Sequence, residues 1–537
     1  MKQVDIEIPY EHERSRRYVF FEKLPGMLSW LVLFMPLILS LINPTIAVFF
    51  VIAYLLLWFS KALGLNVRSI QGFRNMQRHM ALPWGLMMQD LTTNEVEDRV
   101  DIPDWHARNV KKYQVSDKLL SPDDTYHAIV IAAYNESREV LEPTIQSVID
   151  CDYDMKKVIL VLAYEQRGGE KMQQTAQDLV KQYGPSFKHA MAVEHPADIP
   201  GEVIGKGGNI TYAARELERY LERASIDPIH VLVTTLDSDN RPHPTYFAAL
   251  TYAYMLCPDP KTVSFQPIPL FTSNIWDAPA LMRVIATGNS FWNIVQSLRP
   301  HSIRNFSSHS QSMAGLIETD YWSVRTIVED GHQYWRTYFR FDGKHDVVAL
   351  HVPIYQDAVL SSTFRKTVKA QFLQLRRWAW GASDVAYVAE MGFFRKNNIR
   401  RRDVIVKFAR LLEGHVSWAT APLLLAFAAF VPLLVNPDSY VSNQLPFVVS
   451  RIQTVALMGI FITMFLSLKT LPPKPKRYTK RRSVFMVLQW VLLPFTTITF
   501  FSLSGLYSQT RLLFGKYLGS FDVTDKAVVT KDNKKVM

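Results

Sequence analysis

The sequence is poor in cysteine, with only Cys151 and Cys257 among 537 residues. Two cysteines this far apart have no metal-ligand spacing and cannot form a disulfide framework, which indicates a reducing compartment. No cleavable signal peptide is evident, because the first apolar run lacks a small-residue cleavage site and a second run follows it. Internal repeats and low-complexity segments are also missing. The N-terminal apolar runs are therefore expected to be membrane segments.

Charge is missing altogether from residues 24–60. A single span needs ~20 residues, so Asn43 and Pro44 are expected to divide this stretch into two transmembrane helices. A buried helical hairpin in a soluble protein is the alternative, but no polar face exists on either half. Lysine and arginine lie before the first helix and after the second. Both ends are therefore expected in the cytoplasm.

A basic stripe of the kind that binds nucleic acid is also absent, although the net charge is +11. The cations cluster beside apolar segments, which points to membrane lipids as a partner and to no nucleic acid. Three further uncharged or nearly uncharged runs follow at 414–437, 452–468 and 483–510, with a basic, cytoplasmic loop at 474–482. The last run is expected to bend near Pro494 and return to the side it left. Gln489, Ser502 and Ser504 would then face protein.

The middle of the chain alternates between strand and helix patterns. Strands are expected at 127–133, 158–163, 191–193 and 231–236, and helices at 140–149, 171–183 and 210–223. This alternation predicts an α/β fold: a mostly parallel sheet with helices on both faces, inserted between transmembrane helices. The expected organisation is a cytoplasmic segment (1–23), two membrane helices (24–60), an interfacial lead-in (61–125), the α/β domain with interfacial helices (126–390), a transmembrane or re-entrant region (391–510) and a cytoplasmic tail (511–537).

Two carboxylates end the fourth expected strand, where Asp237 and Asp239 flank Ser238. Residues two apart on a strand point the same way, so both can address one small volume at the mouth of the sheet. Two hard oxygen ligands there suit Mg²⁺ or Mn²⁺ carrying a diphosphate. A solvated turn would also explain this motif taken alone.

Two other motifs lie at expected strand–helix junctions. Tyr134 and Glu136 follow the first strand, where they could hold a base and a ribose or simply form a surface turn. Lys206 opens a glycine-rich Lys-Gly-Gly-Asn turn before a helix, a place where backbone and cation can approach a phosphate. A plain glycine turn is the alternative.

Two more motifs come from later in the chain. Glu329 and Asp330 close a helical stretch, and a carboxylate in a pocket can act as a general base. Gln374, Arg377 and Trp378 lie on a helix expected over 364–389, where arginine suits a diphosphate and tryptophan suits a sugar ring. An interfacial Trp/Arg belt is the rival interpretation.

Taken in order, Lys-Gly-Gly-Asn, Asp-Ser-Asp, Glu-Asp and Gln-x-x-Arg-Trp resemble the membrane-integrated, inverting family-2 glycosyltransferases. That family includes cellulose, hyaluronan and chitin synthases and ceramide glucosyltransferase. The resemblance covers about residues 126–390 and implies a GT-A-type fold. Near the end, residues 521–526 match the Phe-x-Val-Thr-x-Lys gating-loop motif of bacterial cellulose synthase.

The resemblance also implies a role for each matching residue. Asp330, with Glu329 beside it, would be the catalytic base, and Asp239 with Asp237 would hold Mg²⁺ or Mn²⁺. The remaining matches would bind the UDP-sugar donor or the acceptor: Tyr134, Glu136, Lys206, Asp237, Gln374, Arg377 and Trp378, with Phe521, Val523, Thr524 and Lys526 closing over UDP.

The chain departs from the family pattern at two places. The second strand normally ends in an aspartate that reads uracil, and Glu165 is the nearest candidate here. The acceptor segment, normally Phe-Cys-Gly-like, is the polar stretch 306–311.

The expected function is processive: an inverting hexosyltransferase of the plasma (inner) membrane that uses a UDP-sugar to extend a polysaccharide. The polymer would pass through the enzyme's own membrane helices, and the catalytic domain would be cytoplasmic. Transfer of one sugar to a membrane lipid is the alternative enzyme. A transporter or scaffold with a degenerate transferase domain is the alternative outside enzymes, and the intact Asp237, Asp239, Asp330 and Trp378 argue against it.

Overall fold

The computed structural model describes residues 5–96, 101–116, 120–519, 526–529 and 535–536. Its helices in chain order are α1 Arg16–Ile42, α2 Pro44–Met80, α3 Trp84–Thr93, α4 Trp105–Gln114, α5 Arg138–Ile149, α6 Gly169–Tyr183, α7 Lys206–Arg223, α8 Tyr246–Met255, α9 Ala280–Ser297, α10 Met313–Glu318, α11 Glu329–Arg340, α12 Phe364–Ala379, α13 Asp384–Ala389, α14 Arg401–Phe427, α15 Phe430–Val435, α16 Tyr440–Leu457, α17 Gly459–Thr470, α18 Lys480–Leu488, α19 Leu493–Thr496 and α20 Leu503–Leu513.

The strands alternate with the helices of the middle region, as expected. They are β1 Tyr126–Ala133, β2 Val158–Glu165, β3 His189–His195, β4 Val231–Asp237, β5 Arg241–Pro242, β6 Val263–Leu270, β7 Ser310–Ser312, β8 Asp346–Tyr355, β9 Val528–Val529 and β10 Lys535–Val536. The first eight form one sheet in the order β3-β2-β1-β4-β7-β6-β8-β5, and β9 pairs with β10.

The large sheet is mostly parallel. Strands β3, β2, β1 and β4 pair in parallel, and so do β6 and β8, whereas β7 and β5 run antiparallel to their neighbours. In register, Ala132 of β1 lies beside both Ala163 of β2 and Asp237 of β4. The carboxyl ends of these strands therefore meet at one edge, where parallel sheets form their ligand crevices.

Helices cover both faces of the sheet, which explains why the central strands are mostly apolar on both faces. Alternate residues of β1 enter two separate cores: Ile129 and Ile131 pack in one, Ala128 and Val130 in the other. All four side chains are fully buried. The α/β fold class is thus confirmed.

Among the described residues, four helical stretches are long and apolar enough to cross a membrane: 16–42, 44–80, 440–470 and 480–513. The first two meet at Asn43, whose side chain accepts a hydrogen bond from the Thr45 amide and caps α2. Asn43 and Pro44 therefore divide the first apolar run where the sequence predicts. The second helix runs on to Met80, about 20 residues beyond the charge-free segment. Helices α3 and α4 follow it within the expected interfacial lead-in, for which the sequence predicted no secondary structure.

The last apolar run departs from the expected sharp bend. Helical turns continue from Lys480 to Leu513, with a 3₁₀ stretch before Pro494 and a π-helical stretch after it. Such irregular turns let a helix accommodate the missing amide of proline without reversing.

The surroundings of this run agree with the expectation. Gln489, Ser502 and Ser504 are all buried against protein. At one end Arg482 donates to the Trp276 carbonyl (2.6 Å), and near the other the Ser508 hydroxyl donates to the Arg376 carbonyl (2.8 Å). Both ends of the run therefore lie against the α/β domain.

Candidate active site

A cavity of about 1680 Å³ opens at the carboxyl edge of the sheet and extends between the helices below it. Its lining includes every described residue that the sequence assigned to the site: Tyr134, Glu136, Glu165, Lys206, Asp237, Asp239, Glu329, Asp330, Gln374, Arg377, Trp378 and Lys526. Residues separated by almost 400 positions in the chain thus share one cavity.

The two aspartates at the end of β4 have different partners. Asp237 accepts hydrogen bonds on both oxygens, from Lys206 Nζ at 2.8 Å and from the Ser307 hydroxyl at 2.8 Å. Burial alone would raise its pKa, but the Lys206 and Lys526 ammonium groups hold the pKa of Asp237 below its usual range. Asp239 accepts from Lys526 Nζ (2.7 Å) and from the Asp357 amide (2.9 Å). Asp239 thus pairs with Lys526, whereas Asp237 pairs with Lys206.

Lys206 joins the donor side of the cavity to the expected base. It is the first residue of α7, and its ammonium lies 2.8 Å from Asp237 and 3.4 Å from Asp330. Burial alone would lower its pKa, but the neighbouring carboxylates raise the pKa of Lys206 well above its usual value. The lysine therefore stays charged between two carboxylates.

The two glycines after Lys206 lie in close contact with other parts of the protein, whereas the motif suggests that they leave room for a phosphate. A Cβ on Gly207 would lie 2.3 Å from the Ser323 carbonyl oxygen, and one on Gly208 would meet the Glu202 carboxylate. Gly207 needs glycine because the contact is with backbone, whereas at Gly208 the flexible Glu202 side chain can move aside. The sequence interpretation, which assigned the glycines to a close approach of phosphate, missed this packing.

The Glu-Asp pair opens α11, and its two carboxyl groups differ in protonation. Burial and the neighbouring Asp330 carboxylate raise the pKa of Glu329 to about 8, so Glu329 carries a proton at neutral pH. One oxygen of Asp330, Oδ1, is shielded from solvent and has no hydrogen-bond partner among the described residues. The unsatisfied oxygen makes Asp330 the carboxylate of this pair that retains hydrogen-bond accepting capacity.

His309 lies near that free oxygen, with its Nδ1 3.7 Å away. The indole of Trp322 donates to His309 Nε2 (3.1 Å), so the proton of the neutral ring is on Nδ1, which lies 3.0 Å from the Phe306 carbonyl. Burial lowers the pKa of His309 and favours this neutral form. The sequence interpretation missed His309, which no motif marks.

Glu136 is engaged in the turn that follows β1. Its carboxylate accepts from the Tyr134 amide (2.7 Å), the Asn135 amide (3.2 Å) and the Ser238 hydroxyl (3.0 Å). Glu136 therefore ties the β1 turn to the Asp-Ser-Asp turn, while Tyr134 lines the cavity beside it.

Glu165 is almost fully buried at the end of β2 and is paired. It accepts from Arg167 at 2.5 Å and lies 3.2 Å from His195 Nδ1. Burial alone would lower the pKa of His195, but hydrogen bonds to Glu165 and Glu202 raise it to about 9. A charged His-Glu-Arg cluster thus lies where the family pattern has a lone aspartate, and Arg167 also lines the cavity.

The Gln-x-x-Arg-Trp residues lie on α12, and helical turns continue as expected to Ala389, through a 3₁₀ stretch at Trp380–Ser383 and then α13. Trp378 packs near Phe271, with ring centroids 6.0 Å apart, and Gln374 accepts from Gln371 (3.1 Å). Arg377 is close enough to Glu329 for its charge to oppose the rise of that residue's pKa. The helix therefore brings a guanidinium and an indole to the wall opposite Asp237.

Three members of the expected gating loop, Phe521, Val523 and Thr524, lie outside the described residues. The fourth, Lys526, reaches the cavity, where it also donates to the Ser238 hydroxyl at 2.6 Å. Its position is fixed by a bridge to Leu360, whose carbonyl accepts from the Ala527 amide at 2.9 Å.

The polar segment 306–311 has a structural explanation. Ser307 binds Asp237, and the hydroxyls of Ser310 and Thr234 lie 2.8 Å apart inside the sheet. Gln311 accepts from Gln333 (3.1 Å) within the core. Most of this polarity is therefore satisfied inside the fold.

The donor set fits a divalent cation that also binds a diphosphate. Among the described residues no cluster of three or more histidine, cysteine or acidic side chains could hold a metal alone. Asp239 offers a carboxylate at the cavity wall, and Asp357, which also lines the cavity, has a solvent-shielded Oδ1 without a hydrogen-bond partner in the described part of the chain. Mg²⁺ is commonly held by one or two carboxylates plus substrate phosphates, so these residues suit it.

No protein-family model matches the chain, and no curated protein matches it. Solved structures to which it is similar include the mannosyltransferase PcManGT from Pyrobaculum calidifontis in complex with GDP-Man and Mn²⁺. That match has 13% sequence identity and a TM-score of 0.39, and covers 84% of this chain and 100% of that chain. Another is S. aureus TarS 1-349 in complex with UDP-GlcNAc, with 10% identity, a TM-score of 0.35, and coverage of 76% and 95%. Likeness at this level decides neither family nor activity.

Proposed function

We propose that this protein is a membrane-embedded glycosyltransferase that moves a hexosyl group from a UDP-sugar to an acceptor hydroxyl with inversion. The observation that carries the proposal is the bridge made by Lys206 between Asp237 and Asp330. It brings a donor-binding carboxylate and a proton-accepting carboxylate to one small volume. The motif resemblance supplies the donor class.

In the reaction, the free oxygen of Asp330 takes the proton of the acceptor hydroxyl. The acceptor oxygen forms a bond to the anomeric carbon as the bond from that carbon to the UDP oxygen breaks on the opposite face. No covalent enzyme intermediate is formed, so the anomer inverts. Lys206 and Arg377 supply positive charge beside the departing diphosphate.

When bound at Asp239, Mg²⁺ or Mn²⁺ would neutralise part of the charge on that diphosphate. Asp237 would act through Lys206 and Ser307, from which its two oxygens accept hydrogen bonds. Phe521, Val523 and Thr524 would close over UDP, as the motif match implies.

The cavity supports a long acceptor. Single-ligand pockets are commonly about 300–1,000 Å³, and this cavity of about 1680 Å³ continues past Trp378 to Leu425 and Trp490. We therefore propose that the acceptor is a growing polysaccharide that passes between the membrane helices. The protein would be a multi-pass enzyme of the plasma membrane with its catalytic domain in the cytoplasm.

A second candidate, transfer to a membrane lipid, is supported by the basic mouth of the cavity, formed by Lys61, Arg68, Arg299 and Arg410. In the described part of the chain, Lys61 pairs with Glu413, whereas Arg68 and Arg299 have no carboxylate partner. The first ~20 residues of α2 suffice to cross a ~30 Å hydrocarbon core, which leaves Arg68 at the depth of lipid phosphates.

One experiment separates the candidates. Purified protein in lipid is incubated with a panel of radiolabelled UDP-sugars, and the product is extracted and sized. A polymer supports the first candidate, a single glycolipid species supports the second, and absence of transfer from every donor overturns both. Arg299→Ala sharpens the result, because it should reduce glycolipid formation if a lipid phosphate binds at the mouth.

A further inference from the structure

The segment after β8 brings a third carboxylate to the expected metal position. Asp357 comes two residues after the end of β8, and its backbone amide donates to Asp239 Oδ2 at 2.9 Å. Both residues line the cavity. The hydrogen bond fixes Oδ2 of Asp239, while Oδ1 accepts from Lys526.

The Asp357 carboxylate has no protein group to satisfy it fully. Its Oδ1 is shielded from solvent and accepts no hydrogen bond from the described residues. A shielded, unsatisfied carboxylate oxygen next to another carboxylate is what a bound cation would relieve.

A cation already lies in this position, namely the Lys526 ammonium. It binds Asp239 Oδ1 at 2.7 Å, and the Asp237 charge also acts on it. Its backbone is held by Leu360, three residues after Asp357. A carboxylate oxygen that accepts from Lys526 in this way is not open to a metal at the same time.

We propose that Asp357 is a protein ligand of the divalent metal together with Asp239, and that Lys526 and the metal occupy this site alternately. The inference rests on the proposed function, because UDP supplies the remaining ligands. Two carboxylates, a diphosphate and water make a complete oxygen shell for Mg²⁺ or Mn²⁺. Asp357 is outside every motif that the sequence comparison used.

The test measures Mn²⁺ binding directly, from the loss of the free Mn²⁺ signal in electron paramagnetic resonance. The full-length protein is titrated with Mn²⁺, with and without UDP. We expect Asp357→Asn to weaken binding in the presence of UDP by roughly tenfold or more, since one of few protein ligands is lost. We expect Lys526→Gln to strengthen binding in the absence of UDP, because the competing ammonium is gone.

Asp277→Asn is the matched control. Asp277 lies close enough to influence Asp357, but its carboxylate is bound by Arg477 and Tyr478. This variant should bind Mn²⁺ as the unchanged protein does. Metal-free UDP binding by each variant checks that the nucleotide pocket is intact.

The results test three points separately: Asp357 as a ligand, alternate occupancy by Lys526, and the metal itself. If Asp357→Asn keeps full affinity while Asp239→Asn loses it, Asp357 is not a ligand and the proposed function stands. If Lys526→Gln leaves metal binding unchanged, alternate occupancy is wrong. If the unchanged protein binds no Mn²⁺ with UDP, the metal in the proposed function fails, and this inference fails with it.

Discussion

Asp330→Asn tests the proposed chemistry most directly. Asparagine keeps the shape of the side chain but cannot accept the acceptor proton. General-base catalysis typically contributes ~10²–10⁴-fold to the rate, which corresponds to about 3–5 kcal/mol of barrier. We therefore expect transfer to fall by at least 10²-fold.

Donor binding should change little in the same variant. Lys206 loses its longer contact (3.4 Å) with Asp330 but keeps the shorter one (2.8 Å) with Asp237. The buried ammonium therefore remains paired, and the ~3–5 kcal/mol penalty for an orphaned buried charge is not incurred. UDP release during transfer and metal-dependent UDP binding measure the two effects separately.

Glu329→Gln provides the contrast. Because the pKa of Glu329 is raised to about 8, the residue is protonated below that pH and glutamine imitates it there. This variant should therefore lose much less activity at neutral pH than Asp330→Asn. Transfer by Asp330→Asn above about a tenth of the unchanged rate, or an equal loss in Glu329→Gln, would refute the assignment of Asp330 as the base.

Four more expectations follow. Activity should require Mg²⁺ or Mn²⁺ and vanish in Asp239→Ala; full activity in excess chelator would contradict this. Gly207→Ala should lower the unfolding free energy by about 1–3 kcal/mol, because its Cβ would clash with the Ser323 carbonyl, and an unchanged denaturant midpoint would refute that packing. The pKa of His195 is raised to about 9. The charged imidazole therefore contributes its full stability below a pH of ~6.5, and this contribution is lost as the pH rises through 9. His195→Gln should flatten the resulting decline in the melting temperature. Lys516→Cys should react with impermeant thiol reagents only after lysis, because the tail is proposed to be cytoplasmic, and the buried native cysteines keep the background low; labelling of intact cells would place this segment outside.

The fold could be predicted where local pattern and tertiary environment agree. Strands β1, β2 and β4 are continuous apolar runs because helices bury both of their faces, and this signal is visible in the sequence. The ends of helices were harder to predict. The second helix continues to Met80 because its polar extension packs against the α/β domain, a contact that charge counting cannot reveal.

Short motifs mark Asp237, Asp239 and Asp330, and these residues do line one cavity. Residues that act through distant contacts could not be predicted. Ser307 reaches Asp237 across 70 positions, and Asp357 reaches Asp239 across 118. The one signal for Asp357 was its place directly after a strand, the same position that marks Asp237 and Asp239.

Helix α20, in the last long apolar stretch, also holds α12 of the α/β domain. Ser508 of α20 donates to the Arg376 carbonyl, next to Arg377 and Trp378. The neighbouring Gln509 is fully buried, where it donates to the His415 carbonyl of α14 (2.7 Å) and accepts from Ser29 of α1 (2.5 Å). Buried polar networks of this kind favour one relative placement of the helices, because any other leaves unsatisfied groups. The positions of Arg377 and Trp378, which we propose to bind the diphosphate and the sugar, are therefore set by α20 together with α14 and α1.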